Sequence, residues 1–316
     1  MNSDSPSSNM HIEEHMRIVN TFISDDDEIP PYTEISLRRA RASNPYTRID
    51  FICKKNQPYF SSLGVRWVDQ NSLSSDLLTK FNEVCWFKRH GTPGTTFPSP
   101  ELFWHRTAER IYYLAAYLAQ ERLENIFHFE NDVLIYGHLD TVEVNDKITV
   151  TNMSPTHTTF AFCHIPTHQL LSELCENLNI LLEHGEHQLL SLGFDHISEM
   201  SLLNLLYRKN LIESFPILPS EATNWVFDPG SYGQYFAGTH NGHPSGFTAP
   251  THIIGREILN GNITPQLLAH DIKPLINNSI SSFKRKIRPC VVDRQSDEEI
   301  PIFSLHVHSK KLDSLV

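Results

Sequence analysis

Residues 99 to 136 constrain the fold more than any other stretch. A long amphipathic helix pattern, SPELFWHRTAERIYYLAAYLAQERLEN, leads with no intervening Gly or Pro into an apolar strand pattern, NIFHFENDVLIY. Ser99 is placed to cap the helix, Pro100 suits its first position, and Phe103, Thr107, Ile111, Leu114 and Leu118 fall on one face. An apolar run without breakers reads as a central strand covered on both sides. Upstream, MRIVNTFIS and RIDFIC are strand patterns separated by a Pro-initiated helix, IPPYTEISLRRARASN. This β-α-β rhythm predicts an α/β fold built on a mostly parallel sheet flanked by helices. Two more helices follow: THQLLSELCENLNILLEHG, with Thr167 as cap, a stripe at Leu170, Leu174, Leu178 and Leu181 and Gly185 as the stop, then SEMSLLNLLYRKN.

The Ser-rich segment 1–14 shows no apolar periodicity and reads as a disordered tail, leaving 15–316 as a single domain. From 215 to 300 the texture turns to Pro, Gly, Asn and aromatic residues, which predicts an irregular region. The chain closes on a strand pattern, IPIFSLHVHSKKL, with His306 and His308 directed to the same side.

Charge excludes some partners. With 26 basic against 37 acidic side chains the net charge is -11, which repels nucleic acid and anionic lipid. The one basic cluster, SFKRKIR, is short, runs into DRQSDEE, and reads as a solvated loop. Five cysteines without a CxxC pair suit reduced, buried thiols, and the polar N-terminus lacks the apolar core of a signal peptide. No run reaches membrane-spanning length, so a cytoplasmic location is expected.

The strand pattern carries an anomaly: Glu130 and Asp132 lie two positions apart inside it. Ionised carboxylates cannot be buried unpaired, so they must meet a cation, a proton or solvent. The strand is therefore expected to stop near Glu130, with the acids at its C-terminal exit, where parallel α/β sheets open their ligand crevice. Such a pair suits a divalent ion, Mn²⁺ or Mg²⁺, that also takes phosphate oxygens. Pairing with Arg or Lys from a neighbouring helix is the alternative. The terminal LHVHSK adds imidazoles fit for a transition metal and Lys310 fit for a phosphate, with a surface strand of satisfied imidazoles as the alternative.

HFENDVLIY after the helix FWHRTAER, then FDPGSYGQYFAGTHNG, then LHVHSK resembles a group of microbial and viral glycosyltransferase-like proteins with the GT-A fold, over most of residues 16 to 312. The resemblance implies a nucleotide-sugar donor and a glycan or other hydroxyl acceptor. It also implies a metal motif at Glu130-Asn131-Asp132, in which Glu130 departs from the usual first Asp. A C-terminal His would complete the metal shell, with His308 chosen over His306; Lys310 would contact the nucleotide, as would Arg110, for which a helix-face salt bridge is the alternative. It places an acid before Met200, making Glu199 the first candidate base; an acid in a first helical turn also simply complements the helix dipole. Asp228 is the second candidate, with helix capping as its alternative. Trp225, Tyr232, Gln234 and Tyr235 are candidate acceptor contacts, with core or loop packing as their alternative. A metal-dependent hydrolase is the competing enzyme class, although H-x-H on a strand there calls for a whole barrel after it. A noncatalytic carbohydrate-binding or scaffold protein is the third reading.

Overall fold

Ile18 and Val19 are both fully buried although they point to opposite sides of their strand, as a strand covered on both faces requires. That strand, β1 (Arg17–Thr21), pairs in parallel with β2 (Arg48–Cys53) and β4 (Glu124–Phe129), and β2 pairs in parallel with β3 (Val65–Asp69). Next to β4, the long β7 (His157–Thr167) runs antiparallel and pairs with β6 (Thr149–Ser154), and a short β8 (Glu213–Ser214) closes the edge. The order is β3-β2-β1-β4-β7-β6-β8, the mixed, mostly parallel α/β sheet expected from the sequence. The computed structural model describes residues 16–24, 28–87, 102–194, 197–271 and 285–316. The expected N-terminal tail and the cap residues Ser99 and Pro100 lie outside these.

Helices α3 (Asp76–Val84), α4 (Phe103–Glu121), α5 (His168–Glu183) and α7 (Glu199–Arg208) share one apolar core with Val19, Ile52, Ile126 and Phe160 of the sheet, while the short α2 (Pro58–Ser62) and α6 (Glu186–Leu190) follow β2 and α5. Ile111, Leu114 and Leu118 of α4 are buried as predicted, whereas Phe103 and Thr107 are half-buried. Arg122, in the left-handed region at φ 52°, ends α4 and turns the chain straight into β4. The Thr167 side chain accepts the Leu170 N–H at 3.2 Å, the cap predicted for α5. Leu174, Leu178 and Leu181 of the expected α5 stripe are buried and Leu170 is half-buried; Leu171, Cys175 and Leu182 are buried beside them, so the apolar face is wider than expected because α5 packs against both α4 and β7.

On the other face, α1 (Tyr32–Ser43) lies beside a second sheet of order β10-β11-β12-β5, made from β10 (Ile263–Asp271), β11 (Arg285–Asp293), β12 (Glu299–His306) and β5 (Val133–Ile135), with β9 (Val226–Phe227) parallel to β12. The sheets meet at Phe162, whose ring lies 5.4 Å from that of Phe227 and 5.5 Å from that of Phe303. The strand pattern of 125–136 breaks at Glu130, as expected, and its two pieces, β4 and β5, belong to different sheets. The expectation of an irregular 215–300 gives way, because β10 and β11 pair over nine residues and α8 (Ser231–Ala237) and α9 (Ile253–Leu259) precede them. Pairing between segments this far apart in the chain, Ile263 with Asp293 at one end and Asp271 with Arg285 at the other, leaves no local pattern to read. All five cysteines are free and buried. Among the described residues no helix is long and apolar enough to cross a membrane.

Candidate active site

The site forms where the chain leaves one sheet for the other. β4 ends at Phe129, and the Glu130 N–H still reaches across to the Ala161 carbonyl at 2.8 Å. The Val133 N–H then turns back to the Glu130 carbonyl at 3.0 Å, and β5 joins β12 with Val133 opposite His306. Glu130, Asn131 and Asp132 are therefore held in a tight bend at the C-terminal edge of the first sheet, as expected. Asp132 is further fixed by its carbonyl, which accepts the Val307 N–H at 2.9 Å.

A cavity of about 700 Å³ opens over this bend. One wall is the end of β1 with Phe22, Ile23 and Tyr32, and the opposite wall is the start of α4 and α7 with Trp104, Thr107, Arg110 and Glu199. The C-terminal segment closes the floor with His306, His308 and Lys310.

Charges alternate across the floor. Arg110 Nη2 lies 3.5 Å from Glu199 Oε1 and 2.6 Å from Glu130 Oε1. His306 Nε2 lies 3.7 Å from Glu130 Oε2 and 3.2 Å from Asp132 Oδ2, and Lys310 Nζ contacts the same Asp132 oxygen. Burial pushes Asp132 upward, yet the charges of His306 and Lys310 outweigh it and hold the carboxyl well below the usual carboxylate range. Glu130 is likewise lowered, burial being overcome by Arg110 and His306. Glu199 goes the other way: burial pushes it up to about 7, and the more distant Arg110 only partly offsets this. Its Oε2 accepts the Thr107 hydroxyl at 3.2 Å.

Glu130, Asp132 and His306 each bring one ligand atom to within 4.8 Å of the others. The imidazole in this cluster is His306, whereas the sequence pointed to His308. The reason is topological: β12 carries His306 to the register position opposite Val133, while His308 lies past the strand end and accompanies Gln234, with its Nδ1 3.2 Å from Gln234 Nε2. Burial, then the neighbouring charges of His306 and Lys310, hold His308 neutral, well below its ordinary value.

Asp228 does not line the cavity. Its two oxygens accept four backbone N–H groups, from Gly230, Tyr232 and Gly233 of the α8 turn and from His306, at 2.8 to 3.0 Å. Of the suggested acceptor contacts only Gln234 faces the cavity; the Tyr232 hydroxyl donates to the Ile217 carbonyl at 2.9 Å, and Trp225 packs edge-on against Phe303. Sequence reasoning missed Tyr32, the first residue of α1, although the Pro-Pro pair before it marks a helix start at a strand exit. It also missed Met153 and Thr159, which a β-hairpin brings from the far side of the sheet.

No family model matches the chain, and no curated protein does. Among solved structures it is similar to the glycosyltransferase GlyE of Streptococcus pneumoniae TIGR4, with 14% identity and a TM-score of 0.40 over 64% of this chain and 45% of that one. It is also similar to PaToxG glycosyltransferase (11% identity, TM-score 0.37, 62% of this chain and 69% of that one). Mouse xyloside xylosyltransferase 1 gives 10% identity and a TM-score of 0.39 over 64% of this chain and 84% of that one. The matched part spans less than half the length of the GlyE chain.

Proposed function

We propose that this protein is a glycosyltransferase that takes a sugar from a nucleotide diphosphate donor and passes it to an acceptor hydroxyl. The observation that carries the reading is the grouping of Glu130, Asp132 and His306 under a cavity that also receives Lys310, Arg110 and Glu199. Two carboxylates and an imidazole are a donor set suited to Mn²⁺ or Mg²⁺; His306 Nε2 already lies 3.2 Å from Asp132 Oδ2, and its Nδ1 is buried without a hydrogen-bond partner among the described residues. A divalent ion held there supplies Lewis-acid stabilisation of a diphosphate leaving group.

The chain's own residues supply the rest. Lys310 faces the cavity beside Asp132 and presents an ammonium to phosphate oxygens as charge builds on them. Arg110 ties Glu130 to Glu199, which fixes the spacing between the diphosphate end and the acceptor end of the cavity. Glu199, pushed up to about 7, exchanges a proton near neutral pH and takes the one that the acceptor hydroxyl must lose. Trp104 and Met200 beside it keep that end of the cavity apolar, so little water competes with the acceptor.

The test is thermal unfolding with UDP, GDP, dTDP and CMP, each with and without Mn²⁺, on the wild type and on Asp132→Asn. A ligand that binds only the folded state raises its stability with concentration. At least one nucleotide should give a Mn²⁺-dependent shift that Asp132→Asn abolishes. If none does, or the variant shifts equally, the protein is not a metal-dependent nucleotide-sugar enzyme.

A further inference from the structure

Asp132 Oδ2 is the most contested atom in the site. His306 Nε2 lies 3.2 Å from it and Lys310 Nζ is in direct contact with it. Lys310 is held there by an uncommon backbone: its φ is 62°, and its N–H closes a turn on the Val307 carbonyl at 3.0 Å. Non-glycine residues adopt this conformation at a cost, and when one does so at a ligand cavity the placement calls for a reason. The ammonium has a second partner in reach, the face of Tyr32, whose ring centroid lies 5.6 Å away, and its side chain is 31% exposed. It can therefore leave Asp132 without entering an apolar environment.

We infer that Lys310 is an internal cation that competes with a divalent ion for Asp132, so that the ion binds well only when phosphate draws the ammonium away. A divalent ion bound to Asp132 would sit about 2.1 Å from a carboxylate oxygen. An ammonium in contact with that same oxygen repels it at very short range and occupies its place. While the lysine-bound arrangement dominates, the affinity for the ion falls by the fraction of molecules in which Asp132 is open; an open fraction of about one in ten weakens binding about tenfold. A phosphate group that pairs with Lys310 raises that fraction, which couples ion and phosphate binding in both directions. The link to phosphate rests on the nucleotide-diphosphate reading above, whereas the competition itself does not.

The experiment is Mn²⁺ binding by the full chain, followed through loss of the paramagnetic resonance signal of the free aqueous ion, with no nucleotide present. Lys310→Met should bind Mn²⁺ at least about tenfold more tightly than the wild type, and Lys310→Arg, which keeps a cation over Asp132, should stay near the wild type. Asp132→Asn should remove binding in either background, which places the ion at this oxygen. Inorganic phosphate, with its own complexation of free Mn²⁺ subtracted, should tighten Mn²⁺ binding to the wild type by a clearly larger factor than to Lys310→Met. Equal or weaker binding by Lys310→Met, with its unfolding temperature maintained, overturns the competition. A tighter Lys310→Met whose wild type ignores phosphate keeps the competition and overturns the phosphate link. If neither protein binds Mn²⁺ the inference fails, while donor transfer, measured separately with nucleotide sugars, still decides the glycosyltransferase reading.

Discussion

Glu199 is a carboxyl that burial has moved into the range where protons exchange near neutral pH. Glu199→Gln keeps its shape and removes its basicity. Transfer should fall by roughly 10²- to 10⁴-fold, the usual contribution of a positioned base, measured as kcat with the donor identified by thermal shift. Stability supplies an independent check. Because the folded-state value is raised, the folded protein keeps a proton that the unfolded chain has already lost, so stability declines as pH rises from the ordinary glutamate range to about 7. Glu199→Gln escapes that decline. It should match the wild type at pH below about 4 and exceed it above about 8 by on the order of 3 kcal/mol in urea unfolding. A variant that keeps full activity would remove Glu199 from the chemistry. At Asp228 the expectation is different, because four backbone N–H groups depend on its carboxylate. Asp228→Ala should cost about 3 kcal/mol or more by leaving buried donors unpaired, and His306, whose N–H is one of the four, should lose its fixed position. If Asp228→Ala unfolds like the wild type, the anchoring role is wrong.

At the scale of elements, α8 and β12 touch through Gly233. A Cβ at this position would stand 1.8 Å from the His306 carbonyl oxygen, and the obstacle is backbone that cannot rotate away. Gly233→Ala should therefore separate α8 from β12, costing about 3 kcal/mol or more, and hydrogen exchange at β12 amides should accelerate. Unchanged protection at His306, whose N–H donates to the Asp228 carboxylate, would contradict this. The same contact explains why the candidate site depends on a segment remote in sequence: the acids hang from β4, but their imidazole arrives on β12, 174 positions away from Asp132.

Across the whole molecule the two sheets share a phenylalanine seam of Phe162, Phe215, Phe227 and Phe303. Phe303 is fully buried, and its ring also meets Trp225. Phe303→Ala should cost about 3–5 kcal/mol through lost burial and a cavity. The seam joins both sheets, so wild type and variant should each unfold in one transition, coincident by near- and far-ultraviolet dichroism. Two separated transitions would mean that the sheets are independent units.

How much of this was legible depended on the range of the interactions involved. The α/β class, α1, α5 and α7, the Thr167 cap and the bend at Glu130 follow from local rules, since periodicity, capping and the cost of burying charge act between residues near in the chain. The strand pairing of β10 with β11, the division of residues 125–136 between two sheets, and the placing of His306 rather than His308 in one cluster with Glu130 and Asp132 come from tertiary contacts. One position along a strand reverses the side a residue faces, and the end of a strand cancels the alternation altogether, so an H-x-H pattern cannot say which imidazole will meet an acid. Sequence alone determined that Glu130 and Asp132 had to meet a cation, a proton or solvent; only the fold decided that Arg110, His306 and Lys310 would stand beside them, because that is a matter of which elements close over the same few ångströms of space.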